Sequence, residues 1–290
     1  MSGEECVRFL QWALPRLGMR WAGFRKVRGQ VCKRTGRRLG ELGLSGYDDY
    51  RGYLDSHPEE WSVLDSFCRV TISRFHRDRG VFELVRDRLL PELAAAEAGG
   101  PREHRGRAGL VRCWSAGCAS GEEPYTLSII WRLAVGGRYP GVGLRVVATD
   151  VDETLIARAR TGCYPRSALK ELASGWVEAA FEPVGDELCL RPQFRPAVEL
   201  SLQDIREQMP PGPFHLVLCR NLVFTYFEEP LQGRLLDRIL ERLLPGGFLV
   251  IGAHEELPAG DWPLERLVAG APVFKRGEAQ AFKRPVARGT

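Results

Sequence analysis

The chain has 290 residues, 44% of them hydrophobic and 27% charged, with a formal net charge of +4. Such length and composition place it among globular proteins able to bury a sizeable core, in one large domain or a large one with a small one. The charge is too small to imply nucleic acid, and no apolar run nears the ~18 residues of a membrane span, so neither nucleic-acid binding nor membrane insertion is expected.

The opening MSGEECVRFL carries acids where a secretion signal has a basic segment, which predicts a cytoplasmic protein. Apolar residues then recur at helical spacing: Val7, Leu10, Leu14 and Leu17, next Phe24, Val27 and Val31, next Tyr50, Tyr53 and Leu54, and finally Val63, Leu64 and Phe67. This reads as a small all-α domain, with GLSGYDDY as an internal turn leading into a helix start. Residues 20–38 hold eight Lys or Arg and no acid, a solvated helix face or a surface for an acidic partner. A longer amphipathic helix is predicted from Arg77 through Leu90, ending in the Gly/Arg-rich loop EAGGPREHRGRAG.

Beyond that loop, strands and helices alternate. LVRCWSA (110–116), LRVVATD (144–150), FHLVLCRN (214–221) and GGFLVIGA (246–253) read as strands; 123–134, 153–161 and 229–244 read as helices. The pattern predicts an open, doubly wound α/β sheet, mainly parallel, with ligands at the carboxyl ends of its strands. Residues 164–213 are less regular, with room for further helix and strand, and the tail 277–290 reads as disordered. Of the eight cysteines only Cys113 and Cys118 are close, with no second pair to complete a zinc site, so no metal is expected and reduced, partly buried thiols are.

The stretch WSAGCASGEEPY (114–125) is a strand running into a Gly-rich turn and a helix. Glycines let backbone N–H groups approach a ligand. A pyrophosphate would rest on the helix N-terminus, but Glu122 and Glu123 occupy that first turn and oppose it. A phosphate-free, cationic adenosyl ligand suits the turn better, and S-adenosyl-L-methionine is one. Asp150, ending the second strand, is placed to accept hydrogen bonds from both ribose hydroxyls. Glutamates at the helix start disfavour a nicotinamide cofactor.

These blocks, with ATDVDETLIARARTGCY, CRN, YFEEPLQ, LLPGGFLVIGAHEEL and the upstream TISRFHRD, resemble the CheR-type chemotaxis methyltransferases, from about residue 24 to 257 and in the same order. That family moves a methyl group from S-adenosyl-L-methionine to glutamate side chains of bacterial chemoreceptors. The resemblance implies a class I, Rossmann-like methyltransferase domain at 77–276 behind a helical domain at 1–76; the segment 164–198 is short for the small β subdomain with which some members of the family grip a receptor-tethering peptide, so a reduced subdomain is expected there. It also implies a monomer whose basic helix around 25–38 faces an acidic, helical acceptor. Thr71, Ser73 and Arg77 inherit contacts to the cofactor and reacting centre. Glu123 and Asp150 inherit the cofactor's tail or ribose, Ala116 and Gly117 its turn, and Asp204 with Ile205 the flanks of the adenine. Cys219, Arg220 and Asn221 end the central strand beside it. Arg77 and Tyr226 are the catalytic candidates.

Two departures stand out. The family's F-F-R is Phe75-His76-Arg77 here, and the spacing from Asn221 to Tyr226 and Phe227 is one residue longer. The longer spacing puts either Tyr226, or Phe224 or Thr225 in its stead, in the pocket. His76 is a base candidate for a hydroxyl or amine acceptor, or else a partly exposed spectator, and His254 is expected to close a strand-end hydrogen bond. A different acceptor and a non-catalytic module sensing the donor or its demethylated product are the alternative functions.

Overall fold

The computed structural model describes residues 3–99 and 109–277. Residues 100–108 of the expected Gly/Arg-rich loop (97–109) and the tail from 278 lie outside the described residues.

The N-terminal apolar periodicities become helices α1 (Gly3–Ala13), α2 (Trp21–Phe24), α3 (Arg28–Leu42), α4 (Tyr47–Ser56) and α5 (Glu60–Phe67). The helix expected from Arg77 starts slightly later, as α6 (Arg79–Leu84), and runs through a π turn into α7 (Leu90–Ala98). Five strands then run parallel: β1 (Gly109–Ala116), β2 (Val142–Asp150), β6 (Val198–Leu202), β7 (Phe214–Cys219) and β8 (Leu243–Ile251). The antiparallel β9 (Leu264–Arg266) and β10 (Val273–Arg276) complete the order β6-β2-β1-β7-β8-β10-β9. Connecting helices are α8 (Glu122–Ile130), α9 (Glu153–Thr161), α11 (Val223–Tyr226) and α12 (Glu229–Arg242).

Because side chains alternate along a strand, each strand feeds two cores. Trp114, Val217 and Leu249 face the N-terminal helices and α12, in one cluster with Phe9, Phe24, Leu235 and Ile239. Cys113, Leu216 and Val250 face the other way, onto Val85, Leu89, Leu127 and Ile130. The helical layer is thus packed directly on the sheet, above the strand ends where a ligand site is expected.

Residues 163–190 contain more regular structure than a reduced subdomain suggests. Strands β3 (Cys163–Pro165), β4 (Phe181–Val184) and β5 (Glu187–Leu190), with α10 (Ser174–Ala180), form a separate antiparallel sheet of order β3-β5-β4. It is anchored through Tyr164, Phe181 and Phe194 against Phe75, Tyr125 and Ile129. The expectation of reduced thiols is corrected for four cysteines: Cys6 is bonded to Cys32, and Cys163 to Cys189. Sequence spacing hides both pairs. The first forms because α1 packs on α3, the second because Cys163 and Cys189 are register partners across β3 and β5. Cys68, Cys113, Cys118 and Cys219 are free and buried.

Glu60 ties the helical layer together. Only 3% exposed, its carboxylate accepts from Arg38 Nε at 2.9 Å and Nη2 at 2.8 Å, and from the Tyr50 hydroxyl at 2.7 Å. The Arg38 hydrogen bonds hold its pKa below the ordinary glutamate range, outweighing burial, which pushes the other way. In the window between the lowered folded pKa and the unfolded value of about 4.3 the unfolded chain binds more protons, so stability rises with pH there. Glu60→Gln is therefore expected to cost about 1–3 kcal/mol at pH 7. In urea titrations, the gap to the parent chain should close as pH falls below that window.

Candidate active site

A cavity of about 740 Å³ lies over the carboxyl ends of β1, β2, β6 and β7, roofed from the N-terminal region by the segment 19–27, residues 68–74 and Arg77. Its floor is the Gly-rich turn. Gly117 takes φ +74°, and a Cβ there would lie 2.8 Å from Leu222 Cδ2, so only glycine fits. The turn's amides are already spoken for: Gly117 N and Cys118 N donate to Thr149 O at 2.8 and 3.0 Å, and Ala119 N to Asp150 Oδ2 at 2.8 Å. A phosphate-binding loop needs such groups free.

Asp150 stands at the cavity edge with Oδ1 accepting from Asp152 N at 3.0 Å. Burial raises its pKa above the ordinary aspartate value, against the pull of these backbone bonds. A carboxylate has about four acceptor positions, so these backbone bonds leave room for a ligand's hydroxyls.

Glu123, on the first turn of α8, is braced rather than free. Its Oε1 accepts from Ser115 Oγ at 2.7 Å and its Oε2 from Arg220 Nη1 at 2.9 Å. Arg220, whose side chain is 3% exposed, also donates from Nη2 to Asp78 Oδ2 at 2.7 Å and to Arg77 O at 2.8 Å, and lies over the Phe82 ring. One buried guanidinium thus joins β7, α8 and the 77–78 segment. Its neighbour Asn221 takes φ +55° and donates its N–H to Glu255 Oε2 at 2.9 Å.

The family model for the CheR methyltransferase, SAM binding domain, matches residues 71–269. The chain belongs to the CheR methyltransferase family. A chemotaxis protein methyltransferase of Escherichia coli K12 is 30% identical over 243 residues, covering 79% of this chain and 76% of that protein. One from Klebsiella aerogenes is 30% identical over 267 residues, covering 88% and 84%. The protein is accordingly an S-adenosyl-L-methionine-dependent methyltransferase with a mainly parallel, Rossmann-like sheet behind a helical N-terminal region. Among the described residues no helix is long and apolar enough to cross a membrane.

The methyltransferase fold brings most of the residues singled out in its sequence to one cavity: Thr71, Ser73, Arg77, Gly117, Glu123, Asp150, Asp204, Ile205, Arg220, Asn221 and Tyr226 all line it. Ala116 and Cys219 do not. Both are fully buried at strand ends with side chains in the core under the helical layer, so they back the site instead of facing a ligand. Asp204 reaches the cavity with both oxygens engaged by Arg206, which also forks onto both oxygens of Asp65 at 2.6 and 2.9 Å. Burial alone would raise the Asp204 pKa, but the Arg206 bonds prevail and lower it. Despite the longer spacing, Tyr226 stays in the wall, packed on Phe24 at 5.0 Å between ring centroids, with Phe224 and Thr225 beside it. Burial raises the Tyr226 pKa, and nearby Arg77 counteracts it.

Both histidine expectations are corrected. His76 is 5% exposed, not a partly exposed spectator, and lies outside the cavity against Phe82 and Trp176; burial lowers its pKa. His254 is exposed at the rim, and the strand-end hydrogen bonds belong instead to Glu255. The basic run also divides. Arg34 donates to Phe67 O and Arg69 O, and Arg38 pairs with Glu60, whereas Arg25, Lys26, Arg28, Lys33 and Arg37 are exposed. Sequence reasoning missed Arg20, Asp65, Arg206 and Glu255 because the bonds that bring them to the site cross between distant segments: Arg20 to Phe224 and Thr225, Arg206 to Asp65, and Glu255 to Asn221 and Thr225. The one local signal was the acid pair directly after an apolar strand in GAHEEL.

Proposed function

We propose that the methyltransferase esterifies glutamate side chains of an acidic, helical, chemoreceptor-like protein, in the cytoplasm and as a monomer. Its working parts are a helical docking region at 1–76 and a donor-binding domain at 77–276. The observation that carries this reading is the charge layout of the cavity. Asp150 lines the floor beside the Glu123–Arg220 pair, while Arg20, Arg25, Lys26, Arg74 and Arg77 line the roof and mouth. A cationic donor suits the first, and an anionic acceptor the second.

The residues fit the donor. Asp150 would take the ribose hydroxyls, the Gly117 turn and the Glu123 side the amino-acid tail, and Ile205 with Asp204 the adenine edge. Thr71, Ser73, Arg220 and Asn221 complete the enclosure, with Ala116 and Cys219 behind them. When bound, S-adenosyl-L-methionine supplies an electrophilic methyl group on a sulfonium cation. Arg77 holds the acceptor carboxylate by charge-assisted hydrogen bonds, and the Tyr226 hydroxyl limits how that carboxylate can turn. Alignment at about 3–3.5 Å between reacting atoms is the main requirement. No base is needed, since a glutamate with a pKa near 4.3 is already ionised at neutral pH. The roof formed by residues 19–27 excludes water, which strengthens attraction between the opposite charges.

The exposed Arg25, Lys26, Arg28, Lys33 and Arg37 would meet the acidic acceptor surface. The test is tritiated-methyl labelling of an acidic chemoreceptor signalling fragment, followed by alkali. Carboxyl esters release labelled methanol; label that stays on protein in alkali would overturn the glutamate assignment.

A further inference from the structure

We propose that Arg20 and Glu255 are positioning residues that grip α11 from opposite sides and thereby fix Tyr226 in the wall it shares with Arg77. The importance attached to Tyr226 rests on the function proposed above; the grip itself does not.

Helix α11 has four residues, Val223–Tyr226. One turn cannot hold itself, because nucleating a helix costs more than its single closing bond returns, and its terminal groups lack intrahelical partners. The structure supplies those partners from two distant segments. From the roof, Arg20 donates Nε to Thr225 O at 3.0 Å and Nη2 to Phe224 O, while its backbone N–H donates to Tyr226 O at 2.8 Å. Directly after α11's last residue, Met19 pairs with Phe227, and Glu228 N donates to Gly18 O at 2.9 Å. The approach is backbone to backbone: a Cβ on Gly23 would overlap the Thr225 carbonyl oxygen.

From the sheet side comes Glu255, 5% exposed. Its Oε1 accepts from the Thr225 hydroxyl at 2.5 Å, and its Oε2 from Asn221 N at 2.9 Å and Gly252 N at 2.6 Å. It therefore holds both the left-handed Asn221 that enters α11 and the residue preceding Tyr226. Gly252 leaves the space for this, since a Cβ there would lie 2.6 Å from Asn221 Nδ2 and 2.7 Å from Glu255 Oε2. The longer Asn221–Tyr226 spacing is accommodated between these two grips. Arg20 also begins the segment that carries Arg25 and Lys26, so a partner drawn to those cations would press on the same roof that seats Tyr226.

The experiment places 3-fluorotyrosine at position 226 of the full chain and reads its ¹⁹F resonance with S-adenosylhomocysteine present. The parent should give one narrow line. Arg20→Ala and Glu255→Ala should broaden or split it, and Glu255→Gln should restore it, because an amide oxygen still accepts both N–H groups while its NH₂ can face the Thr225 oxygen. Thr225→Val, a near-isosteric change that removes one of the bonds, covers the case in which Glu255→Ala does not fold, and should broaden the line partly. On the chemoreceptor fragment, Arg20→Ala should lower kcat about tenfold or more with little change in the donor's KM. A narrow, unshifted line in Arg20→Ala and Thr225→Val would overturn the proposal. A parent chain that methylates no carboxylate would instead refute the function, and the resonance would still decide the grip.

Discussion

Arg77→Ala is expected to bind S-adenosylhomocysteine within about twofold of the parent, under about 0.5 kcal/mol, while methyl transfer falls by about 10² to 10³. The asymmetry follows from how Arg77 is held. Its carbonyl is fixed by Arg220 Nη2, and alanine preserves that bond, so the 77–78 segment stays in place. Truncation removes a guanidinium that otherwise donates to Ile72 O and lies close enough to Tyr226 to oppose the rise in its pKa. The donor's determinants on the floor, Asp150 and the Gly117 turn, are untouched. Arg77→Lys should recover part of the rate, because a single ammonium keeps the charge but not the planar fork. Calorimetric titration and methanol release measure the two effects separately, and unchanged turnover in Arg77→Ala would remove it from the mechanism.

Arg220→Met should have the largest effect on the fold itself, about 3–5 kcal/mol of stability. Arg220 is the cation for two carboxylates, Glu123 at 2.9 Å and Asp78 at 2.7 Å. Methionine fills much of the volume, so the cost comes chiefly from the charge left on Glu123, whose side chain is only 14% exposed. Adding Glu123→Gln should return most of the loss, since removing a buried pair entirely costs far less than stranding one member. Urea unfolding of the parent, the two single variants and the double variant measures the coupling. A double variant no more stable than Arg220→Met would show that packing on Phe82, not charge, is what Arg220 provides.

The stretch WSAGCASGEEPY illustrates how far the residues could be read in isolation. Its strand, its glycine turn and the placement of two acids at the start of α8 are local properties, and all three are found. What those acids contact is only partly local. Glu122 accepts from Ser120, two residues away, but Glu123 is matched by an arginine 97 residues downstream. Likewise, short apolar runs made LVRCWSA and FHLVLCRN recognisable as strands, yet they did not reveal that Ala116 and Cys219 point into the core beneath the helical layer.

The amino-acid order of this chain determined the helices before residue 70, the four strands β1, β2, β7 and β8 with the helices between them, where glycine lets the backbone turn left-handed, and which acid ends β2, because propensity, periodicity and steric freedom act over a few residues. Tertiary structure alone decided the rest: which arginines of the basic run turn inward, which cysteines meet, how Arg206 and Arg220 are shared between carboxylates, and that Tyr226 keeps its place despite the longer spacing. Those outcomes depend on burial and on charges brought together from distant parts of the chain. Coulomb attraction and desolvation act through space, whatever the separation in sequence.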